Sequence, residues 1–136
     1  MMLPLAFRRP MTAFLFIRTC ASEPFSASAE SQEDTLREYC EREKIRVVGV
    51  ARAVVEIEDS LAFLKQLFPS VPAGTDLLLA TRLDRFSTAL FDLSGVCYLY
   101  RTHRIELQCL EIPGPLRFQL NCRNNPYSSA DVIPLF

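Results

Sequence analysis

The sequence predicts an α/β fold: a mostly parallel sheet of four to five strands with helices on both faces. Short apolar runs rich in Leu, Ile, Val and Phe alternate with amphipathic segments along the 136-residue chain. Most of these runs are apolar at successive positions, which is typical of strands covered on both faces. Because a helical segment separates each run from the next, the connections are crossovers that leave the strands parallel.

Four segments are predicted to be strands. "TAFLFIR" at 12–18 and "TDLLLAT" at 75–81 are continuous apolar runs, and "RVVGVA" at 46–51 is rich in β-branched residues. "IELQCLEI" at 105–112 is apolar at alternate positions, which predicts a strand that is less completely covered. The segment 52–58 has no clear period and is predicted to be a loop or an extension of the second strand.

The first predicted helix follows a loop rich in Ser, Ala and Pro. Ser31 and Asp34 have the spacing of a capping box, so we expect the helix to begin there. Apolar residues then recur at helical spacing, with Glu and Arg on the other face: Leu36, Tyr39 and Cys40.

Two further helices are predicted. Asp59 or Ser60 can cap the second helix, which ends at Pro69. The third helix runs from Phe86 to about Tyr100 and carries an apolar stripe.

The length allows a single domain with one core. We divide the chain into an N-terminal extension (1–11), a domain (12–113) and an irregular C-terminal tail (114–136). The tail contains several Pro residues and an Asn-Asn pair, although "LRFQL" within it can add a short strand.

Composition excludes several classes of protein. The chain has 15 Lys and Arg against 16 Asp and Glu, which excludes a strongly basic surface that coats DNA. Five cysteines, with no C-x-x-C spacing, exclude a zinc site and a complete disulfide framework, so we expect reduced thiols in a cytoplasmic protein. No apolar run is long enough for a membrane span. We expect no metal or cofactor, and we interpret the only histidine, His103, as a solvated helix end.

Three segments should meet at the carboxyl ends of the strands, where open α/β sheets bind ligands: "RTCASE", "ARAVVE" and "TRLDRFS". The first brings Arg18 beside Cys20, and the third brings Arg85 beside Ser87. An arginine near a helix N-terminus favours an anion such as phosphate. The alternative is a structural role, with ion pairs such as Asp84 with Arg82 or Arg85.

Four segments in order resemble motifs of the serine recombinases (the resolvase/invertase family). "FIRTCA" at 16–21 resembles their first strand, Y-x-R-V-S-T, and "SAESQEDTLREYCER" at 28–42 resembles S-L-E-A-Q followed by a helix. "RLDRFST" resembles K-L-D-R-L-S-R, and "RIELQCLEIP" at 104–113 resembles a later strand of the family that ends in E-P. The resemblance spans about residues 12–113 and implies a resolvase-like catalytic domain.

The resemblance also implies a chemistry. In the family a Ser hydroxyl attacks a DNA phosphodiester, arginines stabilise the transition state, and no metal is required. Carried over by motif, the nucleophile position is Cys20, and the catalytic residues beside it are Arg18, Asp84 and Arg85. The substrate-binding residues would be Gln32, Ser87 and Arg82.

The departures from the motifs predict weakened or lost catalysis. The nucleophile position holds Cys20 instead of Ser, the last motif Arg is replaced by Thr88, and Glu58 and Asp59 stand about where another Arg is expected. Neighbouring arginines would favour a Cys20 thiolate, but sulfur is soft and poorly matched to phosphorus. Cys20 can also be read as a small, half-buried residue at a strand end.

Three functions therefore remain open. The first is a recombinase-like domain that acts on the DNA phosphate backbone, with weakened or lost strand cleavage. The second is a non-catalytic module for self-association or for binding a recombinase partner. The third, a nucleotide-binding α/β protein, is the least supported, because G-x-G-x-x-G and G-x-x-x-x-G-K-[ST] are both absent.

Overall fold

The computed structural model describes residues 9–23, 27–121 and 131–134, with the backbone alone for 118–121 and for the last of these ranges. Two short 3₁₀ turns, Ile57–Asp59 and Phe68–Ser70, flank the second helix. The helices and strands are, in order, β1 (Thr12–Thr19), α1 (Ala29–Arg42), β2 (Arg46–Val54), α2 (Ser60–Leu67), β3 (Leu77–Ala80), α3 (Leu83–Phe86), α4 (Leu90–Arg101), β4 (Glu106–Cys109), β5 (Phe118–Asn121) and β6 (Asp131–Pro134).

The first four strands form one parallel sheet in the order β2-β1-β3-β4. This confirms the predicted α/β fold with a parallel sheet. The two central strands, β1 and β3, are the continuous apolar runs and are buried almost throughout. The edge strand β4 keeps the predicted alternation, with Leu107 and Cys109 buried and Glu106 and Gln108 half-buried. Continuous apolar sequence therefore marks the centre of the sheet, and alternation marks its edge.

Helices cover both faces of the sheet, as predicted. On one face, Leu36 and Cys40 of α1 pack against alternate residues of β1 and β3. On the other face, α2 and α4 pack over the intervening residues of the same strands, and the Tyr100 hydroxyl of α4 donates a hydrogen bond to the Leu64 carbonyl of α2 at 2.7 Å. Among the described residues, no helix has both the length and the apolar character needed to cross a membrane.

Helix α1 begins earlier than predicted. Ser28 is its N-cap, and the Ser28 hydroxyl accepts a hydrogen bond from the Ser31 backbone N–H at 3.1 Å. The capping box proposed for Ser31 and Asp34 was therefore wrong. The reason is Gln32, which is buried and donates to the carbonyls of Arg18 (2.8 Å) and Ala27 (2.9 Å), so the helix must already be formed there.

The other helix starts also differ in detail. Helix α2 begins at Ser60, but Asp59 makes no capping hydrogen bond through its side chain. The Ser60 hydroxyl points inward and donates to the Arg85 carbonyl at 3.0 Å, so it does not cap the helix either. The predicted third helix is preceded by a separate turn, α3, because Ser87 is extended and its hydroxyl accepts from the Ala89 N–H at 2.9 Å.

The segments left open by the sequence are now assigned. Strand β2 continues to Val54, so the first part of segment 52–58 is a strand extension. The C-terminal segment, predicted to be irregular with a short strand in "LRFQL", contains β5 and β6, which pair antiparallel. His103 is exposed in the turn after α4, as predicted, with its ring edge-on to Phe68.

Gly49 tests how tightly the sheet packs. It pairs with Phe14 on the neighbouring strand, and a Cβ at this position would lie 2.5 Å from Phe14 Cε2. We expect Gly49→Ala to lower the free energy of unfolding by about 1–3 kcal/mol, because the buried ring must move. The control is Gly95→Ala on α4, where a Cβ would meet nothing within 4 Å and better helix propensity should add up to about 1 kcal/mol. Equal urea midpoints for the two variants would contradict this packing.

Candidate anion site at the carboxyl ends of the central strands

The predicted site residues lie at the point where the strand order reverses. Connections leave β1 toward β2 on one side and reach β3 on the other, so the order reverses between the carboxyl ends of β1 and β3, where open α/β sheets bind ligands. Arg18 lies at the end of β1, and Arg85 lies in α3, directly after β3. Their groups are in direct contact: Arg18 Nε donates to the Arg85 carbonyl at 3.1 Å, and Arg85 Nη1 donates to the Arg18 carbonyl at 3.0 Å. Two segments far apart in the chain are thus joined at one edge of the sheet.

The Arg18 side chain is completely buried, with 0% of its surface exposed. Besides Arg85, its guanidinium donates to the carbonyls of Val55 (3.2 Å) and Asp84 (2.9 Å). Its charge is balanced by Glu23, whose two carboxylate oxygens lie 2.7 Å and 3.4 Å from the terminal nitrogens. Burial is the largest single influence and would lower the pKa of Arg18, but the hydrogen bonds that it donates to Glu23 and Cys20, together with the charge of Glu23, outweigh burial and raise the pKa. The guanidinium therefore stays charged in the interior.

Arg85 is nearly as buried and contacts the same carboxylate. Its Nη2 lies 3.4 Å from Glu23 Oε1, and its Nε donates to Asp84 Oδ1 at 3.1 Å. Its carbonyl accepts from both Arg18 and Ser60. Both arginines therefore bind groups of their own chain.

Cys20 lies half-buried just beyond β1, in the same cluster. Its Sγ donates a hydrogen bond to Glu23 Oε2 at 2.6 Å and accepts from Arg18 Nη1 at 3.5 Å. The Ser22 hydroxyl is 3.4 Å from the same sulfur. Cys20 is thus tied to both Glu23 and Arg18.

Gln32 supports the site from behind. Its side-chain oxygen accepts from the Arg18 backbone N–H at 3.3 Å while its amide donates to the Arg18 carbonyl. These contacts fix the backbone at the end of β1 and leave the amide turned away from the open side of the cluster. Gln32 therefore positions Arg18.

The remaining predicted residues are less closely involved. The Ser87 hydroxyl accepts from the Ala89 N–H within its own turn, and in the described part of the chain it makes no hydrogen bond to the cluster. Arg82 is 62% exposed, and its Nε lies 3.4 Å from Asp84 Oδ1. Asp84 thus forms ion pairs with both Arg82 and Arg85, which were predicted as the structural alternative. Their roles toward a substrate stay predictions.

Two residues of the cluster were not predicted from the sequence to belong to it. Glu23 supplies the negative charge at the centre of the cluster, and Ser60 holds the Arg85 carbonyl. The signal for Glu23 was its place in "RTCASE", one turn beyond a strand that ends in Arg. Within the described ranges, no group of three or more His, Cys, Asp or Glu residues could hold a metal ion.

Solved structures that are similar to this chain share one class of fold. The chain aligns with the C-terminal catalytic domain of ISC1926 TnpA, an IS607-like serine recombinase. The TM-score is 0.56 at 19% sequence identity, and the alignment covers 74% of this chain and 70% of that chain. The chain also aligns with the N-terminal catalytic domain of TP901-1 integrase. The TM-score is 0.58 at 19% sequence identity, and the alignment covers 74% of this chain and 77% of that chain. A third similar structure is a resolvase family site-specific recombinase from Streptococcus pneumoniae. Its TM-score is 0.58 at 16% sequence identity, and the alignment covers 74% of this chain and 72% of that chain.

No protein-family model and no curated protein matches the sequence. The fold is that of the serine recombinase catalytic domains, which confirms the resolvase-like fold that the motifs predicted. The likeness covers most of this chain and defines its class of fold.

The acidity of Glu23 can be tested. Hydrogen bonds from Arg18 and then Cys20 lower its pKa from 4.5 to about 2. Because the folded-state pKa lies below that of the unfolded chain, the stabilisation is complete above pH 4.5 and is lost as the pH falls toward 2. We expect the gap in unfolding free energy between the wild type and Glu23→Gln to be constant near neutral pH and to shrink below pH 4.5. A gap that is independent of pH in urea titrations would contradict the ionised contact.

Proposed function

We propose that this chain is a serine recombinase-like domain whose ability to cleave DNA strands is lost. The proposal is supported by the fold and by the cluster of Arg18, Cys20 and Arg85 at the sheet edge. The observation that carries it is the state of the arginines. Both guanidinium groups are buried and bound to the chain's own carbonyl and carboxylate oxygens, so neither is directed toward an outside phosphate.

Strand cleavage needs donors aimed at the place where charge develops on the phosphate oxygens. Losing one such donor typically costs about 10²–10³ in rate. Here the arginines are already occupied, the position of another motif Arg is the exposed Thr88, and the exposed Glu58 and Asp59 add negative charge nearby in sequence. These differences act in the same direction and together favour an inactive site.

The nucleophile position points the same way. Attack by Cys20 would form a bond between Sγ and phosphorus, expel a sugar oxygen and require the thiol to give up its proton first. In the structure the thiol donates a hydrogen bond to Glu23, and attack on phosphorus would have to break this contact.

Adduct formation tests this proposal. Wild type, Cys20→Ser and Cys20→Ala would be incubated with nicked duplexes that cover every central dinucleotide, beside an active serine recombinase with its own substrate. We expect every form to give less than about 1% of the covalent complex of the active enzyme, as loss of at least one transition-state donor requires. A denaturant-stable DNA adduct that forms with the wild type or with Cys20→Ser, and not with Cys20→Ala, would contradict the proposal.

The proposed partner is DNA or a second recombinase-like chain. A formal net charge of −1 gives little general attraction to the phosphate backbone, so it favours the protein partner. We propose that the protein works in the reducing environment of the cytoplasm. The described cysteines are all free thiols: Cys20, Cys40, Cys97 and Cys109. Cys122 lies outside the described residues.

The exposed face of α4 favours a second candidate function, self-association. Phe91 and Tyr98 are 57% and 71% exposed and lie seven residues apart, on the same side of the helix. Gly95 lies between them in sequence and has open space at its Cβ position. An antiparallel second copy can therefore place its Tyr98 ring over Gly95, in a contact that two-fold symmetry repeats.

Sedimentation velocity tests the second candidate. If α4 pairs two copies, replacing Phe91 and Tyr98 together by Ser should weaken dimerisation by at least about tenfold, because aromatic side chains carry much of the energy of such contacts. Val54→Ser is the control, since Val54 is a similarly exposed apolar residue on the edge strand β2. A wild type that stays monomeric at high concentration would exclude this function.

A further inference from the structure

Glu23 occupies the centre of the anion site. Within one carboxylate, Oε2 contacts Arg18 Nη1 (2.7 Å) and Cys20 Sγ (2.6 Å), and Oε1 lies 3.4 Å from a terminal nitrogen of both Arg18 and Arg85. Two cations and one thiol therefore converge on a single pair of oxygens. This is the arrangement that would surround two oxygens of a bound tetrahedral oxyanion.

The carboxylate of Glu23 is needed at this position to balance the charge of the buried Arg18. Asp84 contacts Arg85 and the exposed Arg82, whereas the ion pair of the buried Arg18 in the described structure is with Glu23. The other acceptors of Arg18 are three backbone carbonyls, which carry no net charge, and the Cys20 sulfur. Removing the carboxylate would leave a charged guanidinium uncompensated in the interior, which is strongly unfavourable. An emptied site would therefore favour another anion.

The location of Glu23 allows such an exchange. Its side chain is 28% exposed, whereas the Arg18 side chain behind it is fully buried, so the carboxylate lies between the guanidinium and solvent. It is carried by the turn that follows β1, in which the Glu23 N–H donates to the Cys20 carbonyl at 3.2 Å. Ala21 and Ser22 of this turn are exposed and lie outside the strand. Ala21, Ser22 and Glu23 lie beyond the last residue of β1, and the Ser22 hydroxyl donates to the Glu56 carboxylate.

We propose that Glu23 is an internal occupant of the anion site, which excludes outside oxyanions from Arg18 and Arg85 while the turn is closed. The inference rests on the proposed function, because it treats the cluster of Arg18, Cys20 and Arg85 as a former phosphate site. It adds that the arginines keep their capacity for an oxyanion and that one carboxylate blocks it. The domain is thus closed by a contact within its own chain.

Binding of inorganic phosphate tests the inference, and Glu33 provides a matched control. Glu33 also binds two arginines, Arg37 (2.8 Å) and Arg52 (2.7 Å), but these arginines are about half exposed. At constant ionic strength, Glu23→Gln should bind phosphate at least about tenfold more tightly than the wild type, and its Tm should rise with phosphate concentration. Glu33→Gln should behave as the wild type. Phosphate should also slow alkylation of Cys20 in the Glu23→Gln variant.

Three results would contradict the proposed role of Glu23. Glu23→Gln that binds phosphate no better than the wild type, or a Glu33→Gln variant that gains the same affinity, would overturn the inference. Should Glu23→Gln unfold in phosphate-free buffer, added phosphate must restore its folding; failure to do so would also overturn it. The DNA adduct assay is independent of this result, so failure of the proposed function and failure of the role of Glu23 can be told apart.

Discussion

The site is organised around the burial of one charged group, the Arg18 guanidinium. A cation without exposed surface must be met by acceptors on every side, and here the acceptors come from three separate parts of the chain. Backbone carbonyls come from the segment after β2 and from α3, and a carboxylate comes from the turn after β1. The same requirement ties the ends of β1 and β3 together, so the arginine is both a structural link and the centre of the candidate anion site.

The fold could be predicted from the sequence because its signals are local. Continuous apolar runs predicted strands covered on both faces, and two of them are the central strands of the sheet. Alternation predicted that β4 is less completely covered, which agrees with its half-buried residues at the edge of the sheet. The convergence of Arg18 and Arg85 followed from topology alone, since parallel strands bring their carboxyl ends to one edge.

What the sequence did not predict depends on contacts between distant residues. The early start of α1 is set by Gln32, whose amide binds the Arg18 backbone fourteen residues earlier. Ser60 reads as a helix cap, yet its hydroxyl is used by Arg85, which comes much later in the chain. Apart from its place in "RTCASE" after the first strand, Glu23 has no pattern that marks it, and its importance follows from the two guanidinium groups that contact it in three dimensions.

The most direct measurement of the central claim is hydrogen exchange at the Arg18 guanidinium, followed by NMR. If Arg18 is buried and its Nε–H is bound to the Arg85 carbonyl, this proton should exchange far more slowly than that of the half-exposed Arg37, and the Arg18 signal should shift in Glu23→Gln. Exchange as fast as at Arg37, with no shift in the variant, would mean that the guanidinium faces solvent and that Glu23 does not hold it.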